Sequence, residues 1–454
     1  MTIAFVANVG SRDIIVDGRS NLPKDSRTLG EMILANWDAY KADLRLPILV
    51  KALESVINKH GEVAAIVLFA SDQRDQTYRH TDTLPFAHIV QRHMREKYGQ
   101  WIDERLSIVT IGDNPSDYDS MMKFYGDALK PLVIYDRIYT AVTGGTPAMS
   151  FMLLWHGVEV LGERAQPLYV LQERAIPNAL NIGQTLLLKT VRDDIRASLK
   201  LYQYPSVYQL LMTHQTLLKE AKQLPYTTIV ALVEYARLRF NFNFDLAQSA
   251  LLGAESGVAD SVKAEIDTIL NSISQRDERW LLREEIFSAE LDLSNQAYKD
   301  ALTNVFAFRE GALRLLALQQ GVVLIDHKKM DETWLNSVPG LADYLREKNV
   351  DVTRTMTTFV YERILDFLSK KNTSVKTLAQ RVKAFEPLAT IRNDSTHNHA
   401  GVSEKSIQAA YKGGVTAIAP ELRDLYEAIT NQPVGQNPFD VVNALIQRLM
   451  EEAS

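Results

Sequence analysis

The sequence predicts an α/β Rossmann-like parallel sheet domain followed by an all-α domain, and three observations predict it. Short runs rich in β-branched residues alternate with amphipathic helical segments through roughly the first 175 residues, the pattern of successive βα units. From about Pro177 such runs become scarce, and a helical apolar period dominates to the end. A length of 454 residues exceeds what one ordinary core serves, so two or three domains are expected.

In chain order, Ile3–Asn8, Ala64–Ala70, Leu106–Ile111, Ile138–Thr143 and Pro167–Leu171 read as strands, each a short apolar run between polar or turn-forming residues. Between them Pro47–Lys59, Leu84–Tyr98 and Asp117–Ala128 read as helices. A doubly wound sheet follows, with any ligand site at the carboxyl ends of its strands. In the second half, Leu302, Val305, Phe306, Arg309, Leu313 and Leu316 keep helical spacing, as do Val352, Met356, Phe359, Val360, Ile364, Phe367 and Leu368. Both sets are expected to face a core. The last helix has Asn437 as its cap and Pro438 in its first turn, with Val441, Val442, Leu445, Ile446, Leu449 and Met450 on its buried side.

Composition narrows the function. The chain has no cysteine, which excludes disulfides and thiolate metal sites. Its start, Met1-Thr2-Ile3-Ala4-Phe5-Val6, lacks the basic flank and long apolar run of a signal peptide, and no window approaches the ~18 apolar residues of a membrane span. A cytoplasmic protein without membrane association is expected. A net charge of −6 argues against a surface that coats nucleic acid, so any such contact must be local. His80, His88 and His93 recur near Asp72, Asp75 and Asp82, but His88 and His93 are poorly aligned on one helix face, and no metal site is expected.

Thr143-Gly144-Gly145-Thr146-Pro147-Ala148-Met149 follows a predicted strand and opens a helix. The glycines permit a tight turn with exposed amides, Thr146 suits the cap and Pro147 the first turn. Free amides and the helix dipole favour an anion there by up to ~2 kcal/mol. Neither a Walker lysine nor the glycine order of dinucleotide binders is present, which disfavours a Rossmann enzyme of small-molecule metabolism. Asn8-Val9-Gly10-Ser11-Arg12-Asp13 follows the first strand, Ser71-Asp72-Gln73 the second, and Thr81-Asp82-Thr83 precedes a helix. These loops converge if the sheet is parallel, although Asp13 and Asp82 taken singly read as capping and turn residues.

Near the C-terminal end, Arg392-Asn393-Asp394-Ser395-Thr396-His397 sets a permanently charged phosphate binder five residues before a side chain that moves protons near neutral pH. Attack of a ribose 2′-hydroxyl on its own phosphate needs a proton acceptor, a proton donor and a cation facing the phosphorane, and no metal. Five residues on a regular helix subtend ~140°, so Arg392 and His397 do not share a face mid-helix. A helix end or a two-copy site is expected, since two copies would also supply separate acid and base.

The strand–Thr143-Gly144-Gly145-Thr146–helix element, the Gly10–Asp13 loop and the Ser71–Gln73 and Asp82–Thr83 segments resemble a CARF domain, the nucleotide-sensing module of type III CRISPR systems. With the Arg392–His397 spacing, and with Tyr298–Glu310 similar to the first helix of a HEPN core, most of the chain resembles a CARF–HEPN ribonuclease. That resemblance implies a CARF domain over 1–176, a helical connecting region over 177–285 and a HEPN domain over 286–454. It implies a homodimer that binds a cyclic oligoadenylate as allosteric activator, cyclic tetra-adenylate being preferred to hexa-adenylate, and that cleaves single-stranded RNA in antiviral defence. By motif match, Gly10, Ser11, Arg12, Asp72, Gln73, Thr143, Gly144, Gly145 and Thr146 are the expected ligand contacts. His397 is expected as general acid or base, Arg392 as the phosphorane's cation and Asn393 as a positioning group; Glu310 is a candidate to orient Arg392. The products would be a 2′,3′-cyclic phosphate and a 5′-hydroxyl. His399 is the flanking rival of His397, and Ser11 or Thr146 would be candidates if the sheet domain also degraded its activator. The alternative is a nucleotide-sensing CARF transcription regulator without nuclease activity, which would carry a compact DNA-reading module with a basic recognition helix.

Overall fold

The structure, a computed structural model, describes residues 1–171, 176–221, 224–254, 257–274, 276–325, 329–351, 356–397 and 401–451. The side chains of Lys371, Thr396 and His397 lie outside that description, as do Val352 and His399. The chain divides into two compact units, Met1–Asp193 and Asp194–Ser454.

The first unit is built on strands β1 (Ile3–Asn8), β2 (Ala65–Ser71), β3 (Leu106–Ile111), β4 (Arg137–Ala141), β5 (Ala165–Tyr169) and the two-residue β6 (Asn178–Ala179). Their order is β3-β2-β1-β4-β5-β6, with parallel pairing throughout except β5 to β6. Order reverses on either side of β1, which places a crevice outside the carboxyl ends of β1 and β4. Both faces of the central strands are covered, which explains their unbroken apolar runs. On β1, Phe5 and Ala7 enter the core beneath helices α1 (Ser26–Ala35), α2 (Leu49–His60) and α3 (Leu84–Tyr98), while Ala4 and Val6 enter the core beneath α4 (Tyr118–Ala128) and α5 (Pro147–Leu161). β2 alternates likewise, with Leu68 on one side and Phe69 on the other, where Phe69 meets Phe124 and Tyr125 edge-on.

The second unit is helical apart from a short ribbon pairing Leu324–Ile325 with Lys329–Met330. Its helices include α6 (Tyr226–Phe240), α7 (Glu278–Ser294), α8 (Tyr298–Gln319), α9 (Thr358–Leu368), α10 (Thr373–Lys383), α11 (Glu386–His397), α12 (Val415–Thr430) and α13 (Pro438–Glu451). α8 packs along α7 and against α9, α10, α11 and α12. The expected stripe supplies this: Leu302, Val305, Arg309, Leu313 and Leu316 are buried. Phe359 departs from expectation and is 47% exposed. Thr357 caps α9, so Phe359 sits in the first turn beyond the packed face, where Arg363 lies 4.9 Å over its ring. On α13, Asn437 accepts from the Phe439 amide as a cap, and Val442, Leu445, Ile446, Leu449 and Met450 are buried while Val441 is half-buried.

Ion pairs join helices inside this unit. Arg239 on α6 and Glu284 on α7, with side chains 1% and 2% exposed, form a two-pronged pair at 2.8 and 2.6 Å. Removing either partner would strand the other in a low-dielectric core, so the pair fixes how α6 meets α7. Arg309, buried on α8, pairs through one nitrogen with the part-buried Glu362 of α9. Asp292 is different: burial, with Asp300 nearby, pushes its carboxyl up to about 7, while Asn304 Nδ2 donates to it at 2.8 Å.

Between the ordinary carboxylate value and about pH 7, the native state therefore keeps a proton on Asp292 that the unfolded chain has released. Stability drawn from this group is present at low pH and falls as pH rises through that window. Asp292→Asn keeps an acceptor for Asn304 and cannot ionise. Urea unfolding should show the variant gaining on the wild type by roughly 2–4 kcal/mol between pH 4.5 and pH 8; an identical difference at both pH values would refute the assignment.

Candidate nucleotide-binding cavity and Arg–His motif

The loops that leave β1, β2 and β4 meet at one edge of the sheet. Gly10 closes onto the loop after β4: a Cβ on Gly10 would stand 2.7 Å from the Gly145 amide nitrogen. A Cβ on Gly144 would stand 2.3 Å from the Asn8 carbonyl oxygen, and Gly145 has φ +82°. The two glycines are thus required by close approach and by backbone conformation respectively. Thr143 Oγ1 accepts from the Val170 amide at 2.7 Å and ties the same loop to the end of β5. Thr146 caps α5, accepting from the Met149 amide at 3.2 Å and donating to the Pro115 carbonyl.

Two buried carboxylates brace these loops. Asp13 accepts from the Gly10 and Leu49 amides at 2.7 and 2.9 Å, and burial outweighs those bonds to raise its carboxyl to about 6. Asp82 accepts from the Gln73 amide at 2.8 Å and from Gln73 Nε2 at 2.9 Å, while Arg27 of α1 bridges Asp82 at 3.2 Å and Asp72. Asp82 thereby orients Gln73. Of the acids near His80, His88 and His93, Asp72 and Asp82 hold the Arg27 guanidinium and Asp75 accepts from the Thr77 amide at 2.9 Å, and the described residues contain no group of three or more metal-binding side chains.

Between the loops lies an open cavity of about 610 Å³, lined among others by Gly10, Ser11, Gln73, Gly145 and Thr146. Of the nine expected ligand contacts these five face it. Arg12 is exposed outside the lining, Asp72 is engaged by Arg27, and Thr143 and Gly144 build the turn. The caps of three helices line the same cavity: Asp25 of α1, Thr83 of α3 and Thr146 of α5. Each helix begins there, so three dipoles present their positive ends to one volume, with Lys24 as an added cation and the capping Asp25 carboxylate offsetting part of that field at α1. Sequence reading passed over Lys24, Ser26, Tyr78 and Asn114–Ser116, which also line it. Asp25, two residues before the part-buried Arg27 and capping through the Thr28 amide at 3.1 Å, was the available signal for α1.

In the second unit the Arg–His motif occupies the end of α11, which stays helical through His397, its last residue. Arg392 Nη1 donates to Asn393 Oδ1 at 3.3 Å, and its guanidinium lies 5.8 Å from the Phe306 ring centroid on α8. Glu310, the expected orienting group, is exposed, whereas its neighbour Arg309 is the buried cation of that helix. Beside the motif, Tyr298, Lys299, Asp300, Ser395 and Val402 line a shallow depression of about 410 Å³.

No protein-family model and no curated protein matches this chain. Among solved structures, Csm6 of Enterococcus italicus, determined bound to cyclic hexa-2′-fluoro-hexa-dAMP, aligns over 99% of both chains with a TM-score of 0.66 and 13% identity. The fold is shared with Csm6. A sheet domain followed by a helical domain, the order expected for a CARF–HEPN chain, is therefore the architecture found over the whole length. No helix among the described residues is long and apolar enough to cross a membrane.

Gly144→Ala should force the β4–α5 turn off the Asn8 carbonyl. Denaturant unfolding is expected to show a loss of roughly 1–3 kcal/mol; an unchanged midpoint would mean the turn has room that this packing denies.

Proposed function

We propose that this chain is a cyclic oligoadenylate-activated, HEPN-type endoribonuclease of type III CRISPR defence. The observation that carries the proposal is the whole-length fold match to a Csm6 bound to a cyclic hexanucleotide analogue, with a cavity lined by three helix caps at the sheet edge where the motif residues converge. Amides at helix N-termini and Lys24 suit a ring of phosphates, while Gln73 and Asn114 offer donors and acceptors to purine edges. The relative's ligand is a six-nucleotide ring, and the tetra-adenylate preference drawn from sequence finds no support in that comparison.

The ligand site would be completed by a second copy. Tyr118, Met122, Phe151 and Trp155, each 46–50% exposed, form a patch on α4 and α5 in which Phe151 stacks on Trp155 and meets Tyr118. The N-terminal ends of these helices border the cavity through Ser116 and Thr146. An exposed aromatic patch continuous with an open anion site suits a twofold assembly around a symmetric ligand. Phe151→Glu with Trp155→Glu should convert a dimer, measured by light scattering, to a monomer and weaken ligand binding; a dimer that survives both changes would exclude this face.

In the helical unit, Arg392 would stabilise the phosphorane, Asn393 position the phosphate or ribose, and His397 transfer the protons of 2′-hydroxyl attack, giving 2′,3′-cyclic phosphate and 5′-hydroxyl ends without a metal. Helix periodicity separates positions 392 and 397 by ~140°, which supports a site composed from two copies. The deciding assay is cleavage of fluorogenic single-stranded RNA in EDTA, with and without cyclic tetra- or hexa-adenylate. Activity should rise with one ring size, and His397→Ala or Arg392→Ala should lower kcat by roughly 10²–10⁴. Undiminished cleavage by His397→Ala would remove the catalytic assignment.

A further inference from the structure

One strongly charged element plays no part in the chemistry above. Between Asp366 and Glu386 the nineteen residues 367–385 contain Lys370, Lys371, Lys376, Arg381 and Lys383 and no acidic residue. The chain carries −6 overall, of which this stretch contributes +5, leaving −11 elsewhere. Most of the stretch is α10, a helix whose buried side is thin, Val375 and Val382, and whose Lys376, Arg381 and Lys383 are exposed. Ion pairs are plentiful elsewhere on this molecule, yet these three side chains meet no carboxylate within 4.0 Å among the described residues. Lys370 differs, since it lies 4.9 and 4.8 Å over the rings of Tyr344 and Phe367.

Location gives the charge a use. α10 runs directly into the motif helix α11 through Ala384 and Phe385, and both helices pack on α8, whose Phe306 meets Arg392. An acidic protein that acts on a polyanion must gather it locally, and uncompensated cations on the helix next to the reacting groups do so. We propose that Lys376 and Lys383, seven residues and so about two turns apart on one face of α10, form a phosphate-binding track that holds single-stranded RNA beside the Arg392–His397 motif, with Arg381 on the opposite flank outside it. This rests on the ribonuclease reading and names where its substrate lies. Such a track contacts phosphates only, so it gathers RNA without regard to base sequence.

The test replaces Lys376 and Lys383 together by alanine, with a matched pair at Lys41 and Lys130 of the sheet unit removing the same charge elsewhere. RNA affinity is read by fluorescence anisotropy in a His397→Ala background, and cleavage by initial rates with the activating ring. Each lost phosphate contact lowers the salt slope of binding to a single strand by ~0.7, so the track variant should lose about 1.4 units of slope and bind on the order of fivefold more weakly at 100 mM salt. KM should rise accordingly while kcat at saturating RNA holds, and the matched pair should change neither slope nor KM. An unchanged slope in the track variant, an equal loss in the matched pair, or binding of duplex DNA in preference to single-stranded RNA would overturn the track. Loss of cleavage in His397→Ala alongside an intact slope in the track variant would leave the nuclease standing and the track refuted. RNA binding through the track by a wild type that never cleaves would do the reverse.

Discussion

Parallel pairing of the central strands is the constraint from which the candidate ligand site follows. When β1, β2 and β4 run the same way, the loops after Asn8, Ser71 and Ala141 emerge at one edge. Each crossover must then begin its helix at that edge, and helices that begin together aim their unsatisfied amides together. The cavity between Asp25, Thr83 and Thr146 needs no dedicated cationic loop to attract phosphate, because the topology supplies partial charge from the backbone. Asp13 and Asp82 complete the frame by fixing Gly10 and Gln73, and their carboxylates are engaged by amides and Arg27.

The helical unit solves a different problem. α8 must bury one long face against four later helices, and it carries Arg309 into that core, where Glu362 compensates it. Arg239 and Glu284 do the same between α6 and α7. Buried pairs of this kind add little net stability over apolar residues of equal volume, but they penalise any other register. A core so specified can hold Phe306 under the Arg392 guanidinium, which orders a cation that would otherwise sample many rotamers.

Much of the sheet unit was legible before folding. β1, β3 and α3 begin and end where sequence placed them, because a strand buried on both faces is an apolar run bounded by polar residues, and α3 opens at a Thr-Leu-Pro and closes at Gly99. α1 was not legible, since it buries only Ser26, Gly30 and Ile33, and Gly30 is needed by the approach of Pro85 and Phe86, a tertiary contact. The same holds at the cavity. Glycines and caps announce a turn in sequence, whereas Lys24 and Asn114 reach the site from elements whose neighbours only the fold decides. Phe359 shows the converse, a residue in apolar register that its helix start leaves outside the core.

Under the proposed function both sites ask for the same symmetry. A cyclic ligand fills two half-cavities, and a transesterification centre with one motif histidine per chain needs a second imidazole to separate acid from base. The position of Arg392 and His397 on one continuous helix sharpens this, because a regular helix turns five-residue neighbours away from each other. Ligand binding then couples to catalysis if the ring prefers one arrangement of paired sheet units and that arrangement sets the spacing of paired motifs. Only such differential affinity, and not tight binding as such, moves the population toward the active pair.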